Sequence, residues 1–174
     1  MDRRVRRTRQ AIQGALVELT LEKGYDAVTV TDIIDRADVG RSTFYAHFTD
    51  KQDVLFSNLE ALTFLRAEPG ADGPLFAFSL PMFEHVHEQR RLVKALLGRR
   101  GGGVVVARGE RMLGRMIRAE LEARTGEVSE LVVSCVAGAF MMLLRRWVDE
   151  EITATPVELD AAFRATVLPG VEAL

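Results

Sequence analysis

Residues 41–51 bring together an arginine, a lysine and several side chains that can donate hydrogen bonds. The segment reads Arg-Ser-Thr-Phe-Tyr-Ala-His-Phe-Thr-Asp-Lys. If it is helical, Phe44 and Phe48 lie one turn apart on one face and pack inward. The polar side chains are then left for the other faces. Short hydroxyl groups and an arginine near a helix N-terminus can hydrogen-bond to base edges in the DNA major groove.

The residues before this segment predict a second short helix and a tight turn. Thr29 and Asp32 have the spacing of a capping box, which starts a helix whose apolar side is Ile33, Ile34 and Ala37. Asp38 and Gly40 tolerate the left-handed backbone that a sharp turn requires, and Val39 between them is the expected buried plug. The helix after the turn is predicted over about Arg41–Phe48.

Together these residues resemble a known family. The pattern Thr-x-x-x-Ile…Ala-x-Val-x-Arg-Ser-Thr-Phe-Tyr-x-His-Phe-x-x-Lys is similar to that of the TetR family of bacterial transcriptional regulators, over about residues 8–55. The resemblance implies an all-α fold of about nine helices, with a three-helix helix-turn-helix head, a linking fourth helix and a helical-bundle body that binds an effector and dimerises. Asp38 departs from the family, which usually carries glycine there. We expect a DNA-binding domain over 1–50 and an effector-binding and dimerisation domain over 51–174.

The polar residues of the head are assigned two roles. Arg41 is the expected base contact, to guanine, with Ser42 and Thr43 at the groove floor. Contacts to phosphate set position without reading sequence. For these the candidates are Tyr45, His47 and Lys51, with Thr29 and Thr31 at the start of the helix before the turn.

Lys51 stands out because it falls in the first turn of the fourth helix, which Asp50 caps. A cation there faces the positive end of the helix dipole, and a DNA phosphate would reverse that cost. The alternative is a surface lysine paired with Asp50.

Residues 3–9 hold five arginines, which either attract phosphate or form a solvated terminus. The first helix is predicted to begin near Thr8.

The body contains large, adaptable apolar side chains that could line an effector pocket. They suggest an unidentified small apolar or aromatic effector, although an aromatic stripe can equally be plain core. The pocket candidates are Phe64, Met82, Phe83, Met116, Phe140 and Met141.

Pro81 either kinks its helix or sits in the first turn. The last helix is expected to end at residues 168–170, Leu-Pro-Gly.

The segment from Leu131 to Leu144 is apolar nearly all round, so it must be covered on both sides. A second copy of the chain is the expected cover, with small residues at Ser134, Ala137 and Gly138 allowing close approach. The alternative is complete burial within one subunit. At 14 residues the segment is shorter than the roughly 20 that span a bilayer, so no membrane partner is expected.

Composition narrows the function classes. A net charge of −2 and a pI near 6.0 argue against non-specific coating of nucleic acid. A single cysteine, Cys135, is typical of the reducing cytoplasm. No catalytic motif is recognised, and Glu84, His87 and Glu88 are typical of a solvated face rather than a metal site, so we expect no enzyme, cofactor or metal.

The sequence therefore predicts a cytoplasmic, homodimeric and ligand-responsive repressor that binds a palindromic double-stranded DNA operator. The alternative is a helical dimeric interaction protein without operator binding.

Overall fold

A computed structural model of the chain describes residues 3–59, 73–98 and 103–173, and these form nine α-helices and one 3-10 turn. The predicted all-α fold with an N-terminal helix-turn-helix head is confirmed. The elements are α1 (Arg3–Lys23), the 3-10 turn (Tyr25–Ala27), α2 (Val30–Ala37), α3 (Arg41–Tyr45), α4 (Lys51–Leu59), α5 (Ser79–Glu88), α6 (Arg90–Leu97), α7 (Gly103–Thr125), α8 (Glu130–Val148) and α9 (Pro156–Glu172).

Local signals in the sequence set the starts of several helices. At α2 the Thr29 N–H donates to Asp32 Oδ2 at 2.7 Å, and the Asp32 N–H donates to Thr29 Oγ1 at 3.1 Å. The same reciprocal pair of bonds joins Thr155 and Glu158 at the start of α9. Each box satisfies amides that have no partner inside the helix.

Other helix ends differ from the prediction. The α1 helix begins at Arg3 rather than near Thr8, so the basic segment is helical. The α3 helix ends at Tyr45 rather than Phe48. The α9 helix continues through Pro169 to Glu172, because Val171 is buried against the body core and that packing offsets the hydrogen bond that proline cannot make. Pro81 lies in the first turn of α5, where it causes no kink.

Two apolar cores hold the fold together. The head core contains Ile12, Leu16, Ile33, Phe44 and Phe48, and it also takes in Val54, Leu55 and Phe56 of α4, Leu96 of α6 and Val105 of α7. The body core is built on aromatic side chains from α5, α8 and α9. Because the head core extends past residue 50, head and body are packed together through α4, α6 and α7. The division into 1–50 and 51–174 stays a prediction.

The α8 helix is the most apolar element described. It is 19 residues long, and by length and composition alone it could cross a membrane, a test that buried core helices also pass. The 14-residue apolar segment, Leu131 to Leu144, lies inside this longer helix, so its length does not decide whether the helix crosses a membrane. One face of α8 belongs to the body core: Val133, Val136, Ala137, Phe140, Met141, Leu144, Trp147 and Val148.

Candidate nucleic-acid interface

The turn between α2 and α3 depends on one left-handed residue. Asp38 has φ 51° and ψ 51°, and its N–H donates to the Asp35 carbonyl oxygen at 3.3 Å. Aspartate is among the few residues other than glycine that adopt this conformation readily, so Asp38 can stand where the family carries glycine. Gly40, by contrast, is extended with φ −70°. Val39 packs against the head core as predicted, but it is half-buried rather than fully buried.

Arg41, the first residue of α3, places a positive charge where a DNA-binding surface would need one. Arg41 is exposed, and its Nη2 atom donates to Thr31 Oγ1 on α2 at 3.3 Å. Ser42 beside it is exposed, and Thr43 is half-buried. The structure therefore brings Thr31, Arg41 and Ser42 together on the outer side of the two short helices.

Tyr45 and His47 lie at the other end of α3. Tyr45 is 51% exposed and meets the Phe44 ring edge-on, with centroids 5.3 Å apart. His47 follows the helix and is half-buried. Its carbonyl oxygen accepts a hydrogen bond from Arg9 Nη1 at 3.2 Å, and the Arg9 guanidinium lies 4.4 Å from the centre of the Phe48 ring. Sequence reasoning treated Arg9 only as part of the basic run, whereas the structure makes it the link between α1 and α3.

Thr29 already caps the N-terminus of α2. Its hydroxyl donates to Asp32 Oδ2 at 2.6 Å and accepts from the Asp32 N–H at 3.1 Å. The Asp32 carboxylate also pairs with Lys23 at 2.8 Å, and these bonds hold its pKa well below the usual value. A phosphate contact by Thr29 stays a prediction, but the hydroxyl would share it with the cap.

Lys51 points inward rather than towards solvent at the head surface. Its Nζ atom donates to the carbonyl oxygens of Tyr25, Asp26 and Val28 at 2.9, 3.3 and 2.8 Å. It also lies 4.5 Å from the centre of the Tyr25 ring, and burial lowers the pKa of the ammonium group. The predicted phosphate contact and the alternative pairing with Asp50 both lack support in this geometry, because the three N–H bonds are already directed at carbonyl groups.

The remaining charges of the head are divided between its two sides. Arg36 on α2 pairs with Glu18 and Glu22 on α1 at 3.1 and 2.8 Å, so its positive charge is compensated by these two carboxylates. Four of the five arginines in the first two turns of α1 are exposed: Arg3, Arg4, Arg6 and Arg7. Exposed basic groups therefore lie on α1 and at the start of α3.

A cavity of about 100 Å³ lies where α4 meets the body helices. Four predicted effector residues line it: Met82, Met116, Phe140 and Met141. Phe83 does not line it, since it is fully buried behind Phe140 with ring centres 4.7 Å apart. Phe64 lies outside the described residues.

The cavity also has walls that sequence reasoning missed. Leu55 and Phe56 of α4 line it, as do Met112 and His85. The apolar character of Leu55 and Phe56 could have pointed to these two. Burial lowers the pKa of His85 and so favours its neutral form. An almost wholly apolar cavity of this size suits a small apolar or aromatic molecule.

The outer face of α8 is apolar and uncovered within one chain. Leu131 is 76% exposed and Met142 is 61% exposed, and Ser134, Cys135 and Gly138 lie between them on the same face. Val157 on the neighbouring α9 is 61% exposed. Ala137 was expected on this face, but it is buried in the body core because it lies on the side of α8 that packs against the other body helices.

Within residues 3–59, 73–98 and 103–173, no group of three or more His, Cys, Asp or Glu side chains could hold a metal ion.

Known proteins are similar to this chain in the sequence of the head and in the overall fold. The sequence model described as "Bacterial regulatory proteins, tetR family" matches residues 12–57. The HTH-type transcriptional regulator YxbF of Bacillus subtilis is 41% identical over 56 residues, which are 32% of this chain and 15% of that protein. The HTH-type transcriptional regulator TcmR of Streptomyces glaucescens is 34% identical over 82 residues, 44% of this chain and 36% of that protein. The chain thus spans well under half the length of these relatives.

Solved structures are similar over nearly the whole chain. A TetR transcriptional regulator from Streptococcus agalactiae has a TM-score of 0.70 at 23% identity, covering 95% of this chain and 96% of its own. NalD of Pseudomonas aeruginosa, described as the secondary repressor of the MexAB-OprM multidrug efflux pump, has a TM-score of 0.65 at 18% identity, covering 95% and 97%. At these identities the likeness establishes the fold.

Proposed function

Because its head belongs to the TetR family of bacterial regulatory proteins and its whole chain has the fold of TetR-family structures, we propose that this protein is a DNA-binding transcriptional regulator. It acts as a homodimer on a palindromic double-stranded operator in the cytoplasm. The observation that carries the proposal is the exposed group of Thr31, Arg41 and Ser42, held together by the bond between Arg41 and Thr31.

In this proposal the α3 helix enters the major groove. Arg41 contacts a guanine, because a guanidinium can donate two parallel hydrogen bonds to the acceptors on that base. Ser42 and Thr43 approach the groove floor. Tyr45, His47 and Thr29 contact phosphates and fix the register, together with the exposed arginines of α1.

Dimerisation places two heads on one operator. The exposed face of α8, from Leu131 to Met142, and Val157 on α9 supply apolar surface from each copy. A self-complementary interface of this kind gives two-fold symmetry, which matches a palindrome. Two heads that read successive major grooves on one side of the DNA lie about 34–36 Å apart.

The cavity between α4 and the body is the proposed effector site. Leu55 and Phe56 form part of its wall and also belong to the head core, so a ligand there contacts the head directly. The ligand would favour the head spacing in which it binds more tightly, and its differential affinity sets the size of the response. A repressor whose operator affinity falls on ligand binding is the form that we favour.

The test is footprinting of the purified protein on DNA from its own upstream region at two salt concentrations. We expect a protected palindrome whose affinity falls steeply with salt. Only weak, sequence-independent protection would favour the alternative, a helical dimeric interaction protein that does not bind an operator.

A further inference from the structure

The ammonium group of Lys51 joins two parts of the head that are distant in sequence. The three carbonyl oxygens that it contacts belong to Tyr25, Asp26 and Val28, all in the connection between α1 and α2. Lys51 itself is the first residue of α4. Its stem is half-buried, and the ammonium lies over the Tyr25 ring, which is itself 3% exposed.

The charges at both ends favour this contact. The carbonyl groups at the end of the 3-10 turn present partial negative charge, which a cation satisfies. A lysine in the first turn of α4 would otherwise face the positive end of its own helix. The three hydrogen bonds of Lys51 therefore compensate both the carbonyl groups of the 3-10 turn and the lysine charge at the start of α4. Hydrogen bonds that involve a charged group are stronger than those between neutral groups.

The position of the contact in the chain matters most. Val28 immediately precedes the cap of α2, and Lys51 begins the helix after α3, so the bonds enclose the whole helix-turn-helix segment, residues 29–50. The α3 helix has only five residues and no side-chain hydrogen bond at its N-cap. A helix this short is not stable by itself, so its orientation depends on the packing of Phe44 in the head core and on what holds its two ends.

We propose that Lys51 is a positioning residue that closes residues 29–50 into a ring and so sets the orientation in which α3 meets DNA. It does not bind phosphate. The DNA part of this inference rests on the proposed function, whereas the closure of the ring can be tested without DNA.

The first test compares Lys51→Met with Lys51→Arg and with the control Lys94→Met. Methionine keeps much of the stem on Tyr25 but loses the donors, and Lys94 is an exposed lysine of α6 paired with Glu150, so both methionine variants lose one charge. We expect Lys51→Met to weaken operator binding by about tenfold or more, given the strength of hydrogen bonds to charged groups. The slope of log affinity against log salt should stay as in wild type and in Lys94→Met.

Hydrogen exchange of the free proteins tests the ring directly. In Lys51→Met, the amides of residues 29–50 should exchange faster while those of α9 are unchanged, and Lys51→Arg should restore much of the protection and the affinity. A salt slope smaller in magnitude by about 0.9, with unchanged exchange, would instead identify Lys51 as a phosphate ligand and overturn the proposal. No change in affinity or exchange would overturn it as well.

A second test needs no variant and no DNA, and so stands whether or not Lys51→Met folds or the protein binds an operator. The chain has three lysines, Lys23, Lys51 and Lys94, and limited acetylation with acetic anhydride followed by mass spectrometry ranks their reactivity. We expect Lys51 to react most slowly. All three hydrogen bonds of the ammonium group are made to carbonyl oxygens, so an equal or faster rate than the other two lysines contradicts the ring.

Discussion

Arg41 on α3 donates a hydrogen bond from Nη2 to Thr31 Oγ1 on α2 at 3.3 Å. The two residues are exposed, so the bond holds an otherwise flexible guanidinium against the neighbouring helix on the outer side of the head. A side chain that is ordered before it binds loses less conformational entropy on binding. In the proposed complex with DNA, Thr31 therefore acts through Arg41 as well as through any phosphate contact of its own.

The first prediction concerns these two residues. Arg41→Ala should weaken operator binding by about 1–3 kcal/mol and relax the preference at one base pair, because a bidentate contact to guanine is lost. Thr31→Val keeps the shape but removes the acceptor, so its effect should be smaller and should vanish in the Arg41→Ala background. Titration of operator variants measures both, with Arg115→Ala on the body as the charge control. Equal losses on all sequences would mean that Arg41 contacts only phosphate.

The second prediction concerns the outer face of α8. Met142→Glu should convert the dimer to a monomer, because the change places two like charges in a desolvated two-fold interface. Val104→Glu on α7 is the control, since Val104 is also exposed, at 55%, but lies off this face. Sedimentation velocity distinguishes the two outcomes, and operator affinity should fall only for Met142→Glu. A dimer that survives the change would place the interface elsewhere.

The third prediction concerns Gly109, a residue inside α7 that borders the cavity. A Cβ atom added there meets nothing within 4 Å, so Gly109→Ala should gain about 1 kcal/mol from helix propensity alone. That corresponds to a rise in Tm of about 2–4 °C for a chain of this size. Gly114→Ala, in the same helix but away from the cavity lining, should behave similarly by calorimetry. A fall in Tm for Gly109→Ala alone would mean that the space is needed.

The fourth prediction uses the same position to test the effector site. Gly109→Leu should fill part of the cavity and abolish the rise in Tm that a small aromatic probe such as indole produces in the wild-type protein. A ligand that binds only the native state raises Tm according to its concentration and Kd. The control is Gly114→Leu. If indole stabilises Gly109→Leu as much as the wild-type protein, it binds outside this cavity.

The fifth prediction concerns pH. The pKa of Asp32 is lowered by its bonds to Lys23 and to Thr29, so near pH 4 the unfolded chain binds more protons at this residue than the native protein does. This contribution to stability is therefore present above the usual pKa of 3.8 and is lost as the pH falls below it. Asp32→Asn should be less stable at neutral pH and should lose less stability on acidification. Urea unfolding at several pH values measures this, and parallel pH profiles would contradict it.

The helix-turn-helix and the start of α9 could be predicted from sequence because their signals are local. The capping boxes at Thr29 and Thr155, the turn at Asp38 and the spacing of Phe44 and Phe48 each involve residues within one or two turns. Such contacts form wherever the backbone is helical, whatever the rest of the chain does.

Tertiary structure alone decided the partners of side chains whose neighbours are remote in sequence. Lys51 binds carbonyl groups more than twenty residues away, and Phe83 lies behind Phe140 instead of beside a ligand. Likewise Ala137 faces the core, and α9 continues through Pro169 because Val171 is buried. Composition and spacing establish that a residue is charged, small or apolar. Which face of a helix is covered, and by which residues, depends on packing between helices. A local sequence pattern cannot predict that packing.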